Sequence, residues 1–167
     1  MHRWVLRRIE THRCLLMTPP NLVLHDDPDV IVFNLKQRYT GVSATINALV
    51  PLQAQQWKLG FCGTRMSNGI DGMTLREAMK LSRKPPEGRA FRIWHVRRDP
   101  EMMAAIFARD VLRLPIKLVF TSAAQHLHGA FPRWLISKMD AVISTTPLAA
   151  SFVPNTTAVV PHGIDLS

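Results

Sequence analysis

The feature that most constrains this chain is a regular alternation of short apolar runs with helical segments. The runs are "VIVFNL" (30–35), "KLGFCGTR" (58–65), "FRIWHV" (91–96), "IKLVF" (116–120), "AVIS" (141–144) and "TAVV" (157–160). The first is a continuous β-branched and aromatic stretch, the pattern of a strand buried on both faces rather than half-solvated. Strand and helix alternating in this way imply right-handed βαβ units, and therefore an α/β fold: a Rossmann-like parallel sheet with helices on both faces.

The segments between the runs carry their own punctuation. After Thr40 and Gly41 a helix places Val42, Ile46, Leu49 and Val50 on one face, and Pro51 is expected to kink or end it, having no N–H to donate. "SNGIDGM" (67–73) is turn chemistry, and Thr74 with Glu77 forms a capping box that opens a short basic helix running to about Arg83. "RKPPEGR" (83–89) must be a loop. Asp99 as cap and Pro100 at the first helical position start the next helix, whose Met103, Ile106, Phe107, Val111 and Leu114 recur at helical spacing up to Pro115. A helix over 132–138 and a short one entered at Thr146 and Pro147 complete the pattern.

With 167 residues, 47% of them hydrophobic and 20% charged, the chain has the size and balance of one folded domain. The segment 1–28 reads as a basic leader: its first sixteen residues hold four Arg and no small-residue cleavage site. It is either a basic amphipathic arm or sequence ahead of a true start at Met17. The domain proper spans 29–160. Lys and Arg number 21 against 12 Asp and Glu, a formal charge of +9, which favours phosphates, anionic headgroups or nucleic acid as partners. The basic residues lack the aromatic interleaving of an RNA-binding sheet, so nucleic acid is not expected. Cys14 and Cys62 form no C-x-x-C, which fits a reducing, cytoplasmic setting without a disulfide framework or zinc site.

In a parallel sheet of this kind ligands bind beyond the carboxyl ends of the strands. Those positions are Lys36 to Gly41, Gly63 to Arg65, His95 to Arg98, Thr121 and Ser122, Ser144 to Thr146, and His162 to Asp165. Gly41 stands before a helix whose free N–H groups and dipole favour an anion, although a lone glycine also serves simply to make a tight turn. No G-x-G-x-x-G and no G-x-x-x-x-G-K-[ST] occurs, which argues against a dinucleotide site or an NTPase. His95 with Arg97 and Arg98 can position or deprotonate a hydroxyl or contact phosphate oxygens; equally, it can be a satisfied core histidine beside a solvated basic pair. His126 and His128 lack a third ligand nearby and read as surface residues, so no metal is expected. Ser43 and Ser122 have no G-x-S-x-G context for hydrolase chemistry.

Five stretches in order, "NLKQRYTGVSATINALVPLQ" (34–53), "IWHVRRDPEMMAAI" (93–106), "IKLVFTSAAQHLH" (116–128), "WLISKMDAVISTT" (134–146) and "VVPHGIDLS" (159–167), resemble the amino-terminal half of GT-B glycosyltransferases of family 4. They look most like the lipopolysaccharide core mannosyltransferases of α-proteobacteria. The resemblance implies an acceptor-side domain of a retaining enzyme that transfers mannose from GDP-mannose to a core-sugar hydroxyl without a cofactor. It further implies that 161–167 begins the hinge towards a donor-binding domain that has no counterpart here. By the same resemblance Gly41 and Val42 face the donor diphosphate, His95 is the catalytic cleft histidine, and Arg97 and Arg98 can clamp an acidic acceptor; Ser122, at a strand end, is a further substrate-binding candidate. The implied partner is the lipopolysaccharide core or another anionic glycolipid, with the basic helices at 101–117 and 133–139 suited to peripheral attachment on the inner face of the inner membrane. Those helices equally fit an apolar core face with a solvated basic face. A non-catalytic basic α/β module that binds anionic glycolipid or a membrane surface is the competing reading.

Overall fold

The computed structural model describes residues 25–36, 40–63, 66, 71–153 and 155–161. The segment up to residue 24 that was expected to be a leader, Arg65, and the residues His162 to Asp165 expected to begin a hinge lie outside them. The six expected runs form strands β1 (Val30–Asn34), β2 (Leu59–Gly63), β3 (Arg92–Val96), β4 (Ile116–Ser122), β5 (Ala141–Ser144) and β6 (Ala158–Val159). They make one sheet in the order β2-β1-β3-β4-β5-β6, and every pairing is parallel. The sixth strand is shorter than expected, two exposed residues at the edge.

Side-chain alternation along β1 divides the core. Val32 faces helix α1 (Gly41–Ala54) and packs with Ile46, Val50, Leu59 and Phe61. Ile31 and Phe33 face the other way, into the larger cluster with Trp94, Leu118, Phe120 and the inner faces of α2 (Leu75–Leu81), α3 (Asp99–Ile106) and α4 (Ala130–Ser137). Helices therefore cover both faces, and each near-continuous apolar strand is explained by having a partner on either side. A short helix α5 (Pro147–Ser151) precedes β6 and is capped by Thr146, whose hydroxyl accepts from the Ala149 N–H at 2.9 Å.

Three local expectations are corrected. Pro51 does not end α1, which continues to Ala54; the missing donor costs only the bond to the Asn47 carbonyl near the end of the helix. Asp99 is the first residue of α3 rather than its cap, the cap position being Arg98. Of the expected stripe, Ile106 and Leu114 pack against the core, but Met103, Phe107 and Val111 point outward, at 51%, 47% and 63% exposure, while Met102, Ala105 and Ala108 are fully buried. Two alanines on the inner face let α3, and the π-helical stretch Phe107–Val111 that prolongs it, lie close against the sheet, so the larger apolar groups are left facing out. The Thr74 capping box forms as expected, with Thr74 N–H donating to Glu77 Oε2 at 2.7 Å and Glu77 N–H to Thr74 Oγ1 at 3.2 Å.

The end of β2 needs glycine. Gly63 has φ +150°, and a Cβ there would stand 2.1 Å from the carbonyl oxygen of Asn34, its register partner on β1.

Candidate functional site

Chain order reverses between β1 and β3: β1 is followed by α1 on one face, β3 by α3 on the other. The two turns separate at this switch point and leave a crevice beyond the strand ends, the usual ligand position in an open α/β sheet. A cavity of about 320 Å³ opens there, lined by Leu35, Lys36, Arg98, Pro100 and Glu101. The larger cleft of about 1020 Å³ lies between α2 and the turn before β4, where Arg76, Lys80, Arg83 and Arg113 stand out in solvent. Nothing buried and chemically active converges on that larger cleft, so size alone does not select it.

The residues singled out from sequence separate into different roles at the crevice. Arg98, expected to bind substrate, spends its guanidinium internally: Nη1 donates to Asn34 Oδ1 at 2.5 Å, and Nη2 to Thr40 Oγ1 at 2.7 Å and Ser43 Oγ at 3.4 Å. Arg97 is different. Its Nε is buried with no hydrogen-bond partner, and burial pulls its pKa below the ordinary arginine value, with Glu101 opposing that shift. A buried guanidinium nitrogen left without an acceptor costs desolvation energy that an incoming oxyanion would recover.

His95 lies within β3, opposite Val32 and Val119, with its Nε2 2.7 Å from Thr121 Oγ1. Burial, followed by the nearby Arg97 charge, pushes its pKa down to about 3. The imidazole is therefore neutral at working pH and a weak base; it can hold or pass a hydrogen bond to a hydroxyl far better than it can remove a proton. Ser122 is buried and its Oγ accepts from the Ala124 N–H at 3.3 Å, closing the turn after β4.

Gly41 opens α1 with no side-chain cap, because Thr40 is engaged by Arg98, and a Cβ at Gly41 would meet nothing within 4 Å. Steric demand therefore does not explain the glycine. Val42, partly buried, belongs to the α1 core face. The turn that enters α1 and the turn that follows β3 leave the neighbouring strands β1 and β3, and Arg98 bonds across them to Thr40 and Ser43.

Thr40 and Thr121 fall among the strand-end positions expected from sequence, without an assigned role, while Glu101 and Asn34 were passed over. Glu101 is 1% exposed; its Oε2 accepts from the Arg97 N–H at 2.8 Å and its Oε1 from the Leu35 N–H at 3.2 Å. The signal was present in "RDPE", an acid in the first helical turn after a strand, but its burial was not readable there.

Fold and crevice define a doubly wound, all-parallel α/β domain with a polar switch point that is cationic and partly unfilled. Among curated proteins the chain is similar to the lipopolysaccharide core biosynthesis mannosyltransferase LpsB of Rhizobium meliloti (strain 1021), with 44% identity over 142 residues covering 83% of this chain. It is also similar to the lipopolysaccharide core biosynthesis mannosyltransferase LpcC of Rhizobium leguminosarum bv. viciae, 40% identical over 142 residues covering 84% of the chain. The chain spans 40% of the length of each of these relatives. No family model and no solved structure matches.

Proposed function

We propose that this chain is the acceptor-side part of a retaining GT-B glycosyltransferase of family 4, a mannosyltransferase that extends the lipopolysaccharide core from GDP-mannose at the cytoplasmic face of the inner membrane. The observation that carries this reading is the 44% identity to a named core mannosyltransferase over 83% of the chain. The switch-point geometry supports it: an anionic core saccharide is a natural counter-ligand for a buried, unsatisfied Arg97, and His95 with Thr121 offers a neutral hydrogen-bonding relay to a sugar hydroxyl. The open space at Gly41 and the uncapped N-terminus of α1 suit a diphosphate oxygen, with Val42 setting the first turn.

Attachment to an anionic membrane surface belongs to the same reading. Phe131 and Trp134 stack at 6.1 Å in the open on α4, Lys138 lies over the Trp134 ring, and Met103 on α3 and Phe107 on its π-helical extension are exposed. Aromatic groups beside cations suit an interface that is half apolar and half charged. None of the described helices is long and apolar enough to cross a membrane.

The test is transfer of radiolabelled mannose from GDP-mannose to purified core acceptor by the encoded protein. Mannose incorporation that is lost on His95→Ala supports the reading. Oligosaccharide binding without any transfer would replace it with the non-catalytic module.

A further inference from the structure

The carboxylate of Glu101 does more than a helix cap requires. An acid in the first turn of a helix normally faces solvent and needs one backbone N–H. Here the group is almost completely buried, and its two oxygens go to two different turns: Oε2 to the Arg97 N–H at 2.8 Å on the β3–α3 side, and Oε1 to the Leu35 N–H at 3.2 Å on the β1–α1 side. Arg98 closes the ring. Its Nη1 lies 3.5 Å from Glu101 Oε1 while its donors hold Asn34, Thr40 and Ser43, the last two at the entrance of α1. The connection spans the switch point, where the two turns would otherwise part. Burying a carboxylate is costly, and desolvation does push the Glu101 pKa up against the pull of its N–H donors and Arg98. A cap alone does not need that expense.

We infer that Glu101 is a positioning residue: with Arg98 it ties the β1–α1 turn to the β3–α3 turn, so that Arg97 and the amino end of α1 meet one anionic ligand as a single rigid pair. The ligand half of this inference rests on the proposed acceptor reading; the tie itself does not.

Glu101→Gln keeps the shape but leaves only one acceptor oxygen for two N–H groups. Amide hydrogen exchange on the 167-residue chain is expected to show at least about tenfold faster exchange at Leu35 or Arg97 and through 40–44, with the Trp94 and Leu118 amides unchanged. Unchanged exchange at both turns would overturn the tie. If Glu101→Gln fails to fold, Arg98→Lys, which keeps the charge and loses the fork, is read in the same way.

Affinity for core oligosaccharide released from lipopolysaccharide by mild acid is then compared among Glu101→Gln, Arg97→Gln and the double variant. Arg97→Gln is expected to weaken binding roughly 10- to 100-fold and Glu101→Gln about tenfold, with Glu101→Gln adding nothing once Arg97 is gone. Full additivity would show that Glu101 does not act through Arg97 and would reject the positioning role. Absence of oligosaccharide binding by the unaltered chain would reject the acceptor reading and the ligand half together, and the exchange data would still decide the tie.

Discussion

The two edges of the sheet each bury arginine, and they use it in opposite ways. At the amino-terminal edge Arg92, the first residue of β3 and fully buried, is saturated: Nε donates to the Pro28 carbonyl at 2.7 Å, Nη1 to the Leu81 and Lys84 carbonyls at 2.6 and 3.2 Å, and Nη2 to Asp27. It staples the segment before β1 to the end of α2, and Trp94 beside it is fixed by its Nε1–H to Ser82 Oγ at 2.9 Å. At the carboxyl edge Arg98 is likewise consumed, but its neighbour Arg97 keeps a buried donor without an acceptor. A saturated buried cation is a structural part. One left short of an acceptor, just beyond the carboxyl end of a strand at the switch point, is a candidate place for a ligand.

The comparison is most easily broken at the saturated edge. Arg92→Met should cost about 3–5 kcal/mol in urea denaturation, because three carbonyls lose their donor inside the protein while the half-exposed Asp27 can turn to water. A loss below about 1 kcal/mol would mean that the staple is redundant. Next in size, Gly63→Ala should cost about 1–3 kcal/mol, since its Cβ would collide with the Asn34 carbonyl and shift the end of β1, the strand that carries the crevice. The melting temperature checks this, and an unchanged value would show that the edge is soft.

The third prediction concerns protons. His95 has a folded pKa depressed from 6.5 to about 3, so the unfolded chain binds a proton that the folded one does not throughout that window. Stability from this group is complete above pH 6.5 and falls as pH drops, by at most about 1.4 kcal/mol per pH unit. His95→Gln should flatten the decline between pH 6.5 and 4.5 in a series of urea titrations; an equally steep decline would place His95 in solvent. The smallest effect on stability is expected at Arg97: Arg97→Gln should change it by less than about 0.5–1 kcal/mol, because no internal bond of that Nε is lost.

The alternation of runs in the sequence made the sheet legible, since six short apolar runs separated by helical segments leave little choice of architecture. The inward face of α3 was not legible. Two apolar stripes compete on that helix, and a count of large hydrophobic groups favours Met103 and Phe107, whereas close packing on the sheet favours Ala105 and Ala108. The location of the crevice was readable from the strand ends. The division of labour within it was not: Arg97 and Arg98 are adjacent and identical in type, and only the positions of Asn34, Thr40, Ser43 and Glu101, brought in from distant sequence or buried by the fold, decide which one is free. Arg92 carried a signal of its own, a lone cation at the start of an apolar run.

The central claim is that the carboxyl edge holds an anionic saccharide through Arg97, and calorimetric titration of purified lipopolysaccharide core oligosaccharide into the chain and its Arg97→Gln variant tests it most directly. Loss of one charge-assisted contact should weaken binding by roughly 10- to 100-fold, with the fold intact. Equal affinity in the two proteins would contradict the claim and return Arg97 to the ordinary basic surface.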